Sequence, residues 1–82
     1  MTKQFAEFMR KLRAAAGLSQ TQVAKDLRLR SGQFISNWER AEAFPPLPMF
    51  RPLANAYGVD VEVIFSEYRK ATEKLERRRI GI

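Results

Sequence analysis

Residues 17–40 read GLSQTQVAKDLRLRSGQFISNWER, and this stretch decides the predicted fold. Its pattern predicts two short helices, 20–27 and 32–40, joined by a brief turn. Ser19 opens the first helix, and Gln22 completes a capping box in which each side chain bonds the backbone of the other residue. Helices joined by so short a turn must cross steeply, so the second helix presents one polar side outward.

The apolar residues outside this stretch also recur with helical spacing, and no segment alternates as a strand does. We predict Ser31 as the N-cap of the 32–40 helix. Three further helices are predicted over about 3–16, from Phe50 to Gly58, and from Asp60 to about Arg79. Pro52 must lie in the first turn of its helix or kink it. The predicted fold class is therefore all-α: a compact five-helix domain whose last helix extends as a basic C-terminal helix. We expect its core to be complete by Phe65.

Charge is unevenly distributed along the 82 residues, whose formal net charge is +6. Residues 10–30 carry six basic side chains against one acidic, and residues 69–82 carry six against two. Such an excess predicts an anionic partner, with nucleic acid as the first choice. We divide the chain into a domain at 1–68 and a basic helical tail at 69–82, which could serve as a dimer helix, a DNA-contacting arm or a frayed end.

The composition excludes several classes of site. The chain has no Cys and no His, which removes ordinary zinc, haem, iron–sulfur and Cys/His catalytic sites, so no cofactor or metal is expected. No apolar run is long enough to span a membrane, and the first thirteen residues carry charges where a signal peptide needs an apolar stretch. We expect a cytoplasmic, nucleoid-associated protein with no membrane contact and no small-molecule ligand.

Acidic side chains on the last helix raise the question of acid–base catalysis. They lie among Lys and Arg at helical spacing, and we interpret them as partners in surface ion pairs: Glu62, Glu67, Glu73 and Glu76. We therefore predict that the protein is not an enzyme.

Four segments together resemble the lambda-repressor-like, Cro-type helix-turn-helix family. They are Gly17-Leu18-Ser19-Gln20, Val23-Ala24-x-x-Leu27, Ile35-Ser36-Asn37-Trp38-Glu39-Arg40 and Leu53-Ala54-x-x-Tyr57-Gly58-Val59. Their order and spacing, over roughly residues 10–65, carry the resemblance. The sequence departs from the family at Ala41, where a Gly often follows the third helix.

The resemblance implies a sequence-specific transcriptional regulator that binds double-stranded DNA as a homodimer, with its third helix in the major groove. A phage repressor, a controller of a restriction–modification operon and an antitoxin-like autoregulator are all compatible with it. Two alternatives stay open: a protein-interaction module on the same fold, and a non-specific nucleic-acid binder.

The resemblance also assigns residues to DNA. Gln33, Phe34 and Asn37 are expected at base edges, because Gln and Asn amides both donate and accept, as adenine requires. Phe34 could touch a thymine methyl or instead pack inward, and the two amides could simply be solvated. Phosphate contacts, which position the protein without reading sequence, are expected from Gln20, Arg28, Arg30, Ser36 and Arg40.

Two further expectations concern the interior. The family pattern implies an ion pair between Arg13 and Glu39, whereas a surface pair of Glu39 with a neighbour such as Arg40 is the alternative. Trp38 and Tyr57 could stack on single-stranded bases, but their helical spacing favours the core.

Overall fold

The computed structural model describes residues 3–79, and the side chains of residues 3–73. Within the described residues the fold is entirely helical, which confirms the predicted all-α class with five helices. The elements are α1 (Lys3–Ala15), α2 (Gln20–Asp26), α3 (Gln33–Glu39), a 3-10 turn (Leu47–Met49), α4 (Phe50–Tyr57) and α5 (Val61–Arg79). The observed helix ends lie within one or two residues of the predicted ones.

The predicted caps differ in their outcome. Ser19 Oγ accepts from the Gln22 backbone N–H at 3.1 Å, and Gln22 Oε1 accepts from the Ser19 N–H at 2.8 Å, which confirms the capping box. The assignment of Ser31 as N-cap was wrong, because α3 begins at Gln33 and its N-cap is Gly32. Ser31 Oγ accepts from the Gln33 N–H at 3.3 Å, a local turn that stands just before the helix.

Four helix ends share a left-handed residue. Gly17 and Gly58 have φ of 72° and 71°, and Arg28 at 58° and Ala41 at 62° adopt the same conformation although each carries a Cβ. In each case the following N–H bonds a carbonyl five residues back, at 2.8–3.3 Å. A left-handed residue with a Cβ costs about 1–2 kcal/mol, so the C-terminal ends of α2 and of α3 both store strain.

The core receives side chains from all five helices. Its buried members are Phe5, Met9, Val23, Ala24, Ile35, Trp38, Phe50, Leu53, Ala54, Tyr57, Ile64 and Ala71. Trp38 and Tyr57 are each only 6% exposed, which confirms that they pack in the core and removes them as stacking platforms.

An aromatic cluster joins α1, α4 and α5. The Tyr68 ring lies 5.2 Å from the rings of both Phe44 and Phe50 and 6.1 Å from that of Phe5, in edge-to-face arrangements. Such pairs contribute about 0.5–1.5 kcal/mol beyond their buried area. Phe44, in the loop after α3, is thereby tied to the last helix.

The expectation that the core is complete by Phe65 was wrong. Tyr68 packs against the core and Ala71 is 5% exposed within it, because both share with Ile64 one side of an uninterrupted α5. Leu75, the next residue on that predicted apolar line, has its side chain outside the described residues. None of the helices over residues 3–79 has the length and apolar character needed to span a bilayer.

Candidate DNA-binding surface

The helix α3 has one buried side and one open side. Ile35 and Trp38 are 1% and 6% exposed and fill the core. Gln33 is exposed, Phe34 is 45% exposed, and Asn37 is half-buried beside them. The inward alternative for Phe34 therefore does not hold. The three residues expected at base edges lie together on the surface, and we call them the α3 open side.

Hydrogen bonds join the polar side chains of the α3 open side in a line. Gln33 Nε2 donates to Asn37 Oδ1 at 2.8 Å, and Arg40 Nη2 donates to the same oxygen at 3.0 Å. Arg40 Nη2 also lies 3.3 Å from Glu42 Oε2. We call this line of four side chains the amide chain. The sequence analysis missed it, although the i,i+4 and i,i+3 spacings that allow it are visible there.

The arginines expected at phosphates differ in their surroundings. Arg28 and Arg30 are exposed in the connection between α2 and α3, and neither forms an ion pair with the side chains that the structure describes. Arg40 is 55% exposed but already pairs with Glu42. Ser36 is half-buried on α3. Among these arginines, the positive charge without an ion-pair partner in the described side chains therefore lies in the connection that leads into α3.

Gly32 allows α3 to begin close to α2. A Cβ built at this residue would lie 3.4 Å from the backbone of Gln20 and of Thr21. A side chain here would thus start against α2 rather than on the α3 open side. The close approach fixes where the first turn of α3 lies relative to the start of α2.

Gln20 also links α2 to α3. Its Nε2 donates to Glu39 Oε1 at 3.0 Å, so the amide is directed toward the end of α3. The phosphate contact expected of this residue stays a prediction.

Glu39 also forms an ion pair with Arg13, on α1. Arg13 Nε donates to Glu39 Oε2 at 2.7 Å and Arg13 Nη2 donates to Oε1 at 3.0 Å, while Nη1 donates to the Leu18 carbonyl at 2.8 Å. The side chains are 17% and 4% exposed, so the pair is largely removed from solvent. The hydrogen bond with Glu39 raises the pKa of Arg13, and partial burial opposes that rise. Helices α1, α2 and α3 therefore meet at one carboxylate.

This arrangement matches a known family. The helix-turn-helix domain family matches residues 4–64, from α1 into α5. That span exceeds half of the 82 residues. The chain belongs to the helix-turn-helix domain family. The match confirms the predicted family. Neither the curated proteins nor the solved structures gave a match.

A buried phenol lies near the charged pair in this helix-turn-helix domain. Tyr57 is 6% exposed, and burial, with a smaller effect from the Glu39 carboxylate, raises the pKa of its hydroxyl well above the ordinary value of 10.0. The nearby Arg13 charge acts in the opposite direction. Tyr57 therefore stays neutral in the folded protein far into the alkaline range.

The acidic residues on α5 of the helix-turn-helix domain lie among basic partners. Glu67 meets Lys70 at 3.2 Å, and Glu62 pairs with Arg69. The side chain of Glu76 lies outside the described residues. Across the side chains that the structure describes, His, Cys, Asp and Glu form no group of three or more that could hold a metal.

Proposed function

We propose that this helix-turn-helix protein is a transcriptional regulator that binds duplex DNA sequence-specifically. Two copies bind a pseudo-palindromic operator, with α3 of each copy in the major groove. The protein acts in the cytoplasm, on the nucleoid, and it acts by binding rather than by catalysis.

The observation that carries this proposal is the two-sided character of α3. Its inner residues Ile35 and Trp38 pack in the core, while Gln33 and Phe34 are exposed and Asn37 is half-buried beside them. Amide groups that both donate and accept match the major-groove edge of adenine, and an exposed ring suits the methyl of thymine.

The charge distribution supports DNA as the partner. Arg28 and Arg30 lie beside the start of α3 and form no ion pair with any side chain that the structure describes, within a chain whose net charge is +6. Contacts from such residues to phosphates release condensed counterions, which contributes affinity without sequence preference. The residues on the α3 open side thus contact bases, and the arginines contact phosphates and position the domain.

Substitutions on the two sets test sequence-specific binding. Gln33→Ala should weaken binding to the preferred site, found by selection from a random library, by roughly 1–3 kcal/mol and binding to random DNA much less. Arg30→Ala is the matched control, and it should weaken both about equally.

Three outcomes would overturn the proposal. Equal losses for the Gln33 variant on both DNAs would remove its role at a base. Weak DNA affinity that ignores every α3 substitution would favour a protein-interaction module. Affinity that follows net charge alone would favour a non-specific nucleic-acid binder.

The homodimer is part of the same proposal. A two-fold pair presents two equivalent α3 helices, so the half-sites should lie about one helical turn apart, roughly 34–36 Å. Footprinting should show two symmetric halves, whereas one asymmetric half-site at stoichiometric binding would refute the dimer.

We propose the basic end of α5 as the dimer helix. Since Ala71 belongs to the core, sedimentation should compare the full chain with one that ends at Glu73. An unchanged dimer would return this segment to a DNA-contacting arm or a frayed end.

A further inference from the structure

One side of α5 changes from negative to positive charge along its length. Helical spacing of three and four residues places six residues on this side, which we call the α5 outer stripe: Asp60, Val63, Glu67, Lys70, Lys74 and Arg77. The stripe begins with two carboxylates and ends with three cations. The structure describes its side chains as far as Lys70 and the helical backbone of α5 as far as Arg79.

The acidic half of the stripe borders an open groove between α1 and α5. Its lining residues are Phe8, Asp60, Glu62, Val63, Ser66 and Glu67, with neither Lys nor Arg among them in the described part of the chain. Val63 is 40% exposed, and only three large apolar side chains over residues 3–73 are exposed. A surface that combines exposed apolar area with negative charge suits a basic partner that has aliphatic side-chain stems.

The basic end of α5 cannot reach this groove in its own chain. Asp60 and Arg77 stand at opposite ends of one continuous helix, about 26 Å apart at 1.5 Å per residue. Asp60 forms no ion pair with any described side chain. Glu67 does meet Lys70 of its own chain at 3.2 Å, but a carboxylate can accept from a second cation as well. The charges at the two ends can therefore meet only between two copies.

The spacing of the stripe is self-complementary in an antiparallel pair of helices. With Glu67 opposite the partner's Lys70, a step of four residues on each helix brings Val63 opposite the partner's Lys74. A further step of three brings Asp60 opposite the partner's Arg77. A two-fold axis makes each contact twice. A parallel pair would instead place like charges side by side, which is unfavourable.

We propose that two copies of the chain dimerise through antiparallel α5 helices, with the basic end of each helix on the acidic groove of the other. Asp60 pairs with the partner's Arg77, and Glu67 pairs with the partner's Lys70. The aliphatic stem of the partner's Lys74 covers Val63. This inference rests on the homodimer of the proposed function and identifies the surface that receives the basic end of α5. Since most of its contacts are ionic, the dimer should weaken as salt increases.

Charge reversal in two separate variants tests this register. Two copies of Glu67→Lys place cations opposite each other, and two copies of Lys70→Glu place carboxylates opposite each other. Sedimentation equilibrium of the full-length chain at low salt should show self-association about tenfold weaker for each variant than for the wild type. An equimolar mixture of the two variants should dimerise as tightly as the wild type, because each reversed charge then meets its opposite. Such recovery could not come from misfolded chains.

Asp26→Lys and Lys25→Glu are the matched controls, because they make the same changes of charge at exposed positions on α2. Each should self-associate within about twofold of the wild type, since distant exposed charges are screened. Unchanged self-association of Glu67→Lys and Lys70→Glu would overturn the inference. So would a mixture that dimerises no more tightly than its two components.

The outcome also distinguishes this inference from the function beneath it. A wild-type chain that stays monomeric at low salt would overturn the antiparallel dimer, while footprinting would still decide whether two copies assemble on the operator. Recovery on mixing, together with no sequence selected from the random library, would support the dimer and refute sequence-specific regulation. A dimer that ignores charge reversal, but whose affinity for DNA falls in Arg77→Ala, would assign the basic end of α5 to DNA instead.

Discussion

Arg13 and Glu39, 26 residues apart in the chain, form a two-pronged ion pair with N–O distances of 2.7 and 3.0 Å. Gln20 adds a third donor to the same carboxylate at 3.0 Å. A planar guanidinium that meets a carboxylate in this way fixes direction as well as distance. The pair therefore sets the rotation of α3 about its axis, and with it the direction in which the α3 open side faces.

Glu39→Gln should destabilise the domain and weaken operator binding, although Glu39 is not expected at DNA. The neutral amide keeps the shape but leaves the Arg13 charge largely buried and without its counter-charge. We expect a loss of about 3 kcal/mol in the free energy of unfolding, at the lower end for buried pairs because Arg13 keeps some exposure. Urea unfolding measures it, and Glu42→Gln, at an exposed pair, is the control with a change of at most about 1 kcal/mol.

A double-mutant cycle isolates the interaction between the two residues. Arg13→Met and Glu39→Gln should together cost well below the sum of the single losses, because removing both charges leaves neither one stranded. Near-zero coupling would mean that the contact behaves as an ordinary surface pair.

Ala41→Gly should stabilise the domain by about 1 kcal/mol. Ala41 has φ of 62°, where its Cβ crowds the backbone, and glycine adopts this conformation without that cost. Ala43→Gly is the matched control in the same loop, since Ala43 is not left-handed. Glycine there only increases the conformational entropy of the unfolded chain, which destabilises the domain. Thermal and urea unfolding of the two variants should move in opposite directions. Equal shifts would show that Ala41 carries no strain.

Tyr57 should make stability fall at alkaline pH. Its pKa is raised in the folded state above the ordinary 10.0, so from about pH 10 upward the unfolded chain loses a proton that the folded chain keeps. Stability from this group is complete below pH 10 and is lost by about 1.4 kcal/mol per pH unit above it. Unfolding of the wild type and of Tyr57→Phe from pH 8 to 11 measures the difference. Parallel curves would contradict the assignment.

Arg30→Ala should reduce the salt dependence of DNA binding. Each phosphate contact adds about 0.9 to the slope of log affinity against log salt concentration, so its loss should lower the slope by about 1. Arg10→Ala is the control, because Arg10 lies on α1 in a pair with Glu7. Equal slopes for all three proteins would place Arg30 away from the phosphates.

Much of the fold could be predicted because local signals agree. The Ser19–Gln22 capping box marks the start of a helix, and Gly17 and Gly58 each mark the end of one. These signals act through local backbone hydrogen bonding and do not depend on tertiary contacts. Two ends were harder. Arg28 carries no residue-type signal for a left-handed conformation, and Ser31 has a suitable side chain one residue too early.

The Arg13–Glu39 ion pair and the exposure of the α3 residues expected at DNA were predictable from sequence, but the hydrogen bonds among those exposed side chains were not. The spacing of Ile35 and Trp38 shows which side of α3 is open, so Gln33, Phe34 and Asn37 could be named. The hydrogen bonds that Asn37 accepts from Gln33 and Arg40 depend on side-chain rotamers that sequence does not specify. Likewise, the burial of Ala71 depends on how many turns of α5 pack against the core. Helical periodicity shows which side of α5 is apolar but not how many of its turns are buried.

The two sides of α3 also bear on how such a protein could acquire new targets. Gln33 and Phe34 lie outside the core, so under the proposed function exchanging them would change the base contacts while the fold, held by Ile35, Trp38 and Glu39, is retained. Surface substitutions of this kind usually change stability by at most about 0.5 kcal/mol. Divergent copies of the domain could therefore be retargeted at little risk of misfolding.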